Sequence, residues 1–206
     1  MSISNVKANW NWFRNRKAPP IKLPFPISPT VRLAQLGSAP KFENVQPFVV
    51  DRWADLPPFA PNVVVGSAND LQRLAEQSGE GALDTCSIDH ALVAITHYGA
   101  KPLTDVLRVT LWQAFGVPIF ELYLGLDNAL LAAECEAHEG WHLAQGVGLA
   151  LINGRELILD GAGNSGLHTG LSATLDPKPC PCGRTTAHLL EIEQMRPAAR
   201  YLAASA

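Results

Sequence analysis

The chain has 206 residues, of which 47% are hydrophobic and 17% are charged, with a formal net charge of −3 at pH 7. This composition is that of a globular protein with its own core, and it excludes the basic surface on which nucleic-acid binding depends. The sequence lacks the run of about eighteen apolar residues that a membrane span needs, and its start lacks the apolar region of a secretory signal. We therefore expect a cytoplasmic protein, in which cysteines are metal ligands more often than disulfide partners.

Residues 1–59 are rich in proline, which removes a backbone donor and interrupts both helices and central strands. We predict that this segment forms an extended arm with one or two short elements. The aromatic stretch from Trp10 to Phe13 lies among four cations, between Lys7 and Lys17. This composition favours an aromatic anchor that folds onto the chain's own core. The alternatives are a docking segment for a partner and a contact with an anionic surface.

Residues 60–200 are predicted to form one α/β domain, in which strands and helices first alternate. The stretch NVVVG indicates a buried strand. The helical pattern after it begins at a cap, Ser67 or Asn69, and has Leu71 and Leu74 on one face. The apolar run ALVAIT indicates a second buried strand. Strand, helix and strand in this order predict a parallel pair joined by a right-handed crossover.

A second amphipathic pattern covers residues 101–116 and predicts another helix, which ends at Gly116, a natural C-terminal glycine. The apolar face predicted for this helix consists of Leu103, Val106, Leu107, Thr110, Leu111 and Ala114. Another strand follows in VPIFELYLG. A small β-rich portion is then predicted over residues 143–175. Its tight turn falls at Asn153-Gly154, because this dipeptide tolerates the positive φ angles of a type I′ hairpin turn.

The stretch AECEAHEGWHLA, from Ala133 to Ala144, combines cysteine and histidine in a pattern typical of a metal site. Zinc in a structural site takes four nitrogen or sulfur ligands in a tetrahedron. Cys135 and His142 supply two of these ligands, and Cys180 and Cys182 supply the other two from a Cys-Pro-Cys-Gly knuckle. The alternatives are thiols that bind no metal, and a site in which His138 replaces His142.

We expect this zinc to be structural rather than catalytic, because three cysteines and one histidine complete a closed site. A catalytic zinc needs an open coordination position and a nearby base. Glu134, Glu136 and Glu139 are close in the sequence and keep that alternative open. Cys86 stands apart from the other cysteines, and we expect it to be a small buried hydrophobe.

Four segments follow one another in an order that points to a known family. They are PNVVVGSANDLQRLAEQ, THYGAKPLTDVLRVTLWQAFGVPIFELY, AAECEAHEGWHL and LDPKPCPCGRTTAHLLEI, and they cover about residues 60 to 195. Together they resemble the middle of adenylate-forming ligases of the phenylacetate–coenzyme A ligase type. The resemblance implies a relationship to enzymes that activate a carboxylic acid with ATP and then transfer the acyl group to coenzyme A. Some members of this family bind zinc through these cysteine and histidine positions.

The family's adenylate-binding motifs are altered in this chain. Its Tyr-Gly-x-Thr-Glu segment corresponds to YLGLD, in which Tyr123 is kept, Leu124 and Leu126 replace the glycine and the threonine, and Asp127 replaces the glutamate. Its ribose-binding aspartate corresponds to Leu171, which cannot accept hydrogen bonds from the ribose. The stretch LGSAPK is only weakly similar to the family's phosphate-binding loop. The C-terminal domain that carries the adenylation lysine is expected to be absent. We therefore do not expect ATP or coenzyme A to bind strongly.

These departures favour a pseudoenzyme: a non-catalytic, ligase-like domain that is stabilised by zinc and acts as a subunit or accessory protein. Its partner is expected to be another protein or a second copy of the chain. One alternative is an acyl- or aryl-CoA ligase-related enzyme part completed by another chain, in which Tyr123 or His168 acts together with Asp127. The other alternative is a zinc-dependent binding or hydrolytic module unrelated to ligation.

Overall fold

The computed structural model describes residues 18–26, 31–161 and 164–195. The aromatic anchor predicted at Trp10 to Phe13 lies outside these residues. None of the described helices is long and apolar enough to cross a membrane.

The described residues form a single mixed sheet of eleven strands. In chain order the strands are β1 Leu33–Leu36, β2 Phe48–Val50, β3 Val63–Ser67, β4 Ala91–His97, β5 Ile119–Leu124, β6 Leu130–Glu134, β7 Trp141–Leu143, β8 Gly148–Ile152, β9 Glu156–Gly161, β10 Asn164–Asp176 and β11 His188–Gln194. The helices are α1 Leu56–Phe59, α2 Ala68–Gly79 and α3 Asp105–Phe115, and a 3₁₀ turn spans Trp53–Asp55. The strands are arranged across the sheet in the order β2-β1-β3-β4-β5-β6-β7-β11-β10-β9-β8.

The first half of the sheet is parallel. Strands β3, β4 and β5 are neighbours, with α2 joining the first pair and α3 the second, so the predicted α/β class and the parallel pairing are confirmed. Strands β1 and β2 extend the same parallel sheet beyond β3. They come from within residues 1–59, so the described part of this proline-rich segment contributes two strands to the fold. The division of the chain at residue 59 stays a prediction.

The second half of the sheet is antiparallel and runs from Leu130 to Gln194. It is therefore larger than the predicted portion of 143–175. Three strands, β6, β7 and β11, lie outside that portion. Strands β6 and β7 have five and three residues, and such short runs carry too little periodicity to be recognised. The predicted hairpin turn is confirmed, with φ angles of 52° at Asn153 and 70° at Gly154.

Helix α2 begins at a capped residue. The hydroxyl of Ser67 accepts a hydrogen bond from the backbone N–H of Asp70, so Ser67 is the cap and Asn69 is not. Leu71 and Leu74 are fully buried on one face of the helix, as predicted.

Helix α3 is capped by Thr104 and ends at Gly116, whose φ of 66° is the left-handed conformation predicted there. The side of α3 that is buried overlaps only partly with the predicted apolar face. Leu111 is fully buried, whereas Val106 is 77% exposed. Thr110 and Ala114 are exposed as well, so the placement of Val106, Thr110 and Ala114 on the apolar face is wrong. The buried side is centred between Leu107 and Leu111, which is about 120° around the helix from Val106 at 100° per residue.

The two faces of the sheet are covered differently. Helices α2 and α3 cover one face, where Leu71 and Leu111 pack against Leu92 of β4. On the other face, Phe25 of the proline-rich segment packs against Phe120 of β5, with 5.1 Å between ring centroids. This packing anchors residues 21–25 against the parallel half of the sheet.

Candidate metal centre

Two turns that begin at a cysteine place the predicted ligands in the antiparallel half. After β6, the His138 N–H donates to the Cys135 carbonyl at 3.0 Å. Before β11, the Gly183 N–H donates to the Cys180 carbonyl, also at 3.0 Å. Gly183 has a φ of 76°, which glycine adopts without strain. Strand β7 has only three residues and pairs with β6 on one side and with β11 on the other, so the two turns lie close together.

The side chains of Cys135, His142, Cys180 and Cys182 form one cluster, in which the four donor atoms all lie within 4.8 Å of one another. The Sγ atoms of Cys135 and Cys180 are 3.6 Å apart. The Sγ atom of Cys182 is 3.4 Å from Nε2 of His142. Tetrahedral zinc, with its usual bond lengths, sets these separations at about 3.8 Å between sulfurs and about 3.6 Å between sulfur and nitrogen. The four residues therefore fit a tetrahedral metal ion.

The ring of His142 is oriented by its surroundings. Its Nδ1 lies 3.4 Å from the carbonyl oxygen of Thr186. A carbonyl only accepts hydrogen bonds, so this contact keeps the proton on Nδ1 and leaves the lone pair of Nε2 for a metal. The ring of His188 stacks on His142, with 4.6 Å between centroids and 6° between planes, and limits its rotation.

Burial controls the ionisation of the cluster. It raises the pKa of the Cys135 thiol to about 12 and lowers the pKa of His142. Burial also opposes ionisation of Cys182, but the backbone N–H of Arg184 and the neighbouring thiols bring its pKa below the ordinary value. Neutral imidazole is the form that binds a metal, and the thiols lose their protons when they coordinate one.

Two other residues considered as ligands or core lie elsewhere. The ring of His138 packs against Phe120, with 4.6 Å between centroids, and is not part of the cluster. Cys86 is exposed, so its prediction as a buried hydrophobe is wrong. It lies in the loop after α2, where its backbone N–H donates to the Asp84 carboxylate, and this turn holds it at the surface.

The acidic residues near the cluster have other partners. Glu134 pairs with Arg108 at 2.8 Å, and Glu136 lies 3.9 Å from Arg184. Glu139 is exposed. Among the described contacts, none of these carboxylates is directed at the four metal donors.

Tyr123, which the sequence comparison above predicts to be the kept residue of an adenylate motif, is fully buried and stacks on Trp141 with 5.0 Å between centroids. Its hydroxyl lies near the backbone N–H of Gly99, but the hydroxyl forms no hydrogen bond of normal geometry with any described residue. Burial raises its pKa to about 12. Leu171, predicted to stand at the position of a ribose-binding aspartate, is 1% exposed in the same apolar cluster.

The other two residues of the predicted adenylate-motif remnant are at the surface. Asp127 lies in the turn after β5, where its Oδ1 accepts from the N–H of Ala129. His168 lies in β10 with a side chain that is 64% exposed, and its Nδ1 is 3.0 Å from Glu156. No hydrogen bond or ion pair in the described chain joins Asp127 to His168 or to Tyr123.

A buried ion network near the cluster is not identified by sequence reasoning. Glu121 in β5 and Glu134 in β6 have side chains that are 1% and 6% exposed, and both pair with Arg108 of α3, at 3.1 and 2.8 Å. Glu121 also accepts hydrogen bonds from the Thr96 hydroxyl and the Leu103 N–H. Burial raises the pKa of both carboxyls, that of Glu134 to about 7. The signal in the sequence is a single glutamate within the apolar run IFELYL.

No protein-family model matches the chain, and no curated protein matches it. Solved structures share its fold. The 2-hydroxyisobutyryl-CoA ligase in complex with 2-HIB-AMP and CoA, in its thioesterification state, matches with a TM-score of 0.61 at 14% identity, over 79% of this chain and 43% of the ligase. The fold resembles part of an acyl-CoA ligase.

A second ligase gives a weaker match of the same kind. Coronafacic acid ligase from Pectobacterium brasiliense has a TM-score of 0.52 at 10% identity, over 80% of this chain and 40% of that chain. At these identities the likeness shows the fold alone. The chain spans less than half the length of either ligase.

Proposed function

We propose that the chain is a non-catalytic domain, related to phenylacetate–coenzyme A ligases, that is stabilised by a structural zinc ion and acts as a subunit or accessory protein. The observation that carries this proposal is the convergence of three thiols and one imidazole within 4.8 Å. The order of the four family-like segments supports the relationship, because the ECEAHEGWH and CPCGRT segments supply all four members of this cluster.

The donor set favours zinc. Calcium and magnesium require oxygen ligands, whereas zinc binds thiolate and imidazole in tetrahedral sites of the Cys₃His type. Cys135, His142 and Cys180 are at most 6% exposed. Four protein donors around one ion fill the tetrahedron, so a water molecule has no position from which to act as a nucleophile.

A zinc ion at this position would stabilise the antiparallel half. It would link Cys135 to Cys180, which are 45 residues apart, and so tie the end of β6 to the loop before β11. Structural zinc contributes roughly 10 kcal/mol or more to folding in small domains. The core of this chain is larger, and we expect a smaller share of its stability to depend on the metal.

Two features support the expectation that ATP and coenzyme A do not bind strongly. Leu171 is buried in the core, and its side chain offers no acceptor for a ribose hydroxyl. The stretch LGSAPK, which weakly resembles a phosphate loop, leaves β1 at Gly37. A Cβ atom added at Gly37 would lie 3.3 Å from the Asp70 carboxylate. A negative charge beside this turn repels a phosphate group.

The role as a subunit is supported by the open edges of the sheet. Strands β2 and β8 are its terminal strands, and each exposes an apolar side chain, Val49 at 51% and Ile152 at 40%. Open edges of this kind pair with strands of other chains. A second copy or a partner protein is therefore expected at one of them.

Pyrophosphate exchange with a panel of aryl and alkyl carboxylic acids tests the non-catalytic role. We expect no exchange above the blank with any acid, under conditions in which an active CoA ligase gives a clear signal. Exchange that depends on an added acid would contradict the proposal and favour the enzyme part completed by another chain. Light scattering tests the association, with a mass above that of one chain expected for a homo-oligomer. A monomer that co-purifies with no partner would contradict the subunit role.

A further inference from the structure

A groove of about 720 Å³ runs between α3 and the sheet. Its α3 wall includes Asp105, Arg108, Val109 and Trp112, whose spacing of three and four residues places them on one face of the helix. The volume lies in the range of roughly 300–1,000 Å³ that is usual for small-molecule sites. Neither the four metal donors nor the residues of the predicted adenylate-motif remnant line the groove, so it is a separate site.

Strand β11 contributes carboxylates to this groove. Glu191, Ile192 and Glu193 all line it, although successive residues of a regular strand point to opposite faces. Glu191 has a φ of 51°, and the pairing of β11 with β10 shifts register beside it. Such a bulge redirects side chains, and here it leaves both glutamates exposed at the groove.

The groove has an excess of negative charge. Arg108 is engaged by the two buried carboxylates of its ion network, and burial lowers the pKa of His138, the other basic side chain of the groove. No ion pair among the described residues involves Asp105, Glu191 or Glu193. These three carboxylates give the groove a negative potential, which attracts a positively charged ligand.

The same groove has an aromatic wall that no described residue covers. Trp112 is 55% exposed on α3, next to Val109, which is 54% exposed. The face of an indole binds cations, and its ring stacks on other rings. An exposed tryptophan beside unpaired carboxylates therefore suits a ligand that is both cationic and aromatic.

We propose that the groove binds a small organic cation that carries an aromatic ring, of the aralkylamine class. The ring of the ligand contacts Trp112 and Val109, and its ammonium group is attracted by Glu191 and Glu193. The combination of uncompensated negative charge and an exposed indole in one cavity of small-molecule size carries the proposal. It does not depend on the zinc ion, so the result of its test leaves the metal centre untouched.

Isothermal titration calorimetry of the full chain at low ionic strength tests the proposal with three probes. Phenethylamine has the ring and the cation, hydrocinnamate has the same ring with a carboxylate in place of the ammonium group, and propylamine has the cation without the ring. Phenethylamine should bind with a dissociation constant of about 1 mM or below. The other two probes should each bind at least about tenfold more weakly.

Two substitutions locate the binding in the groove. Trp112→Ala and Glu193→Lys should each weaken phenethylamine binding at least about threefold. Both replaced side chains are exposed, so the unfolding midpoint should not change. Leu126→Ala and Glu76→Lys alter exposed residues that do not line the groove, and these matched controls should keep the affinity of the native chain.

Four results would overturn the proposal. The first is an absence of saturable phenethylamine binding by the native chain. The second is hydrocinnamate binding as tight as that of phenethylamine, and the third is phenethylamine binding that survives both groove substitutions. The fourth is binding of the peptide acetyl-Lys-Trp-Lys-amide without binding of phenethylamine, because it would identify a protein segment as the occupant.

Discussion

Replacing Arg108 with methionine should destabilise the fold strongly, because it removes the cation that pairs with two buried carboxylates. Methionine keeps much of the length and apolar character of the arginine stem. The guanidinium makes three contacts with carboxylate oxygens, at 3.1 Å to Glu121 and at 2.8 and 3.1 Å to the two oxygens of Glu134. All three are lost in Arg108→Met.

The expected loss in the free energy of unfolding depends on how exposed the side chains of Arg108, Glu121 and Glu134 are. Removing one partner of a buried ion pair costs about 3–5 kcal/mol. Arg108 is 24% exposed, so water reaches one side of the network, and we expect a value near the lower end, about 3 kcal/mol. For a chain of this length, that loss lowers the melting temperature by roughly 6–12 °C.

Urea unfolding followed by circular dichroism measures this loss. The double variant Arg108→Met/Glu134→Gln should be more stable than the sum of the two single effects, with a coupling of about 1–3 kcal/mol. Arg52→Met removes an exposed ion pair with Asp55 and should leave the unfolding midpoint unchanged. A loss below about 1 kcal/mol in Arg108→Met, or the same loss in the Glu134→Gln background, would refute the reasoning.

The remaining predictions concern substitutions at single positions. Gly140 has a φ of 113°, and a Cβ atom there would lie 2.1 Å from the Leu189 carbonyl oxygen, so Gly140→Ala should destabilise the fold by roughly 3 kcal/mol in urea unfolding. Gly79→Ala is its control, because the site has open space within a helix, and it should stabilise the fold by about 0.5–1 kcal/mol; equal effects of the two substitutions would contradict the geometry. Tyr123→Phe should leave stability unchanged or raise it by about 1 kcal/mol, because it removes a buried hydroxyl without a hydrogen bond. A loss of more than about 1 kcal/mol in thermal unfolding would show that this hydroxyl has a partner.

Local patterns in the sequence predict the parallel half of the fold well. The Ser67 cap of α2 and the C-terminal Gly116 of α3 are set by neighbouring residues, and the apolar runs of β3, β4 and β5 are long enough to be recognised. Helical periodicity alone does not say which side of α3 meets the sheet, and this is why Val106 is misplaced. The short strands β6 and β7 depend on pairing with distant residues, which no local pattern records.

The candidate site shows the same division. The four members of the cluster can be chosen from residue type and spacing, since cysteine and histidine are uncommon and occur here in two tight groups. Their convergence depends on the pairing of β7 with β11, in which His188 lies opposite His142. The ion pair of Arg108 with Glu121 joins a helix to a strand, with 13 residues between the two positions in the sequence. No motif in the sequence predicts it. A lone charge within an apolar strand is the only local signal.

The metal content of the purified chain tests the central claim most directly. Elemental analysis should find one zinc ion per chain, and Cys180→Ser and His142→Ala should lose the zinc and lower the melting temperature together. His138→Ala is the matched control, because its ring lies against Phe120 and outside the cluster, and it should keep both. Zinc that is released by His138→Ala but retained by His142→Ala would contradict the ligand assignment. A native chain that carries no metal, and whose four cysteines all react freely with a thiol reagent, would contradict the structural zinc itself.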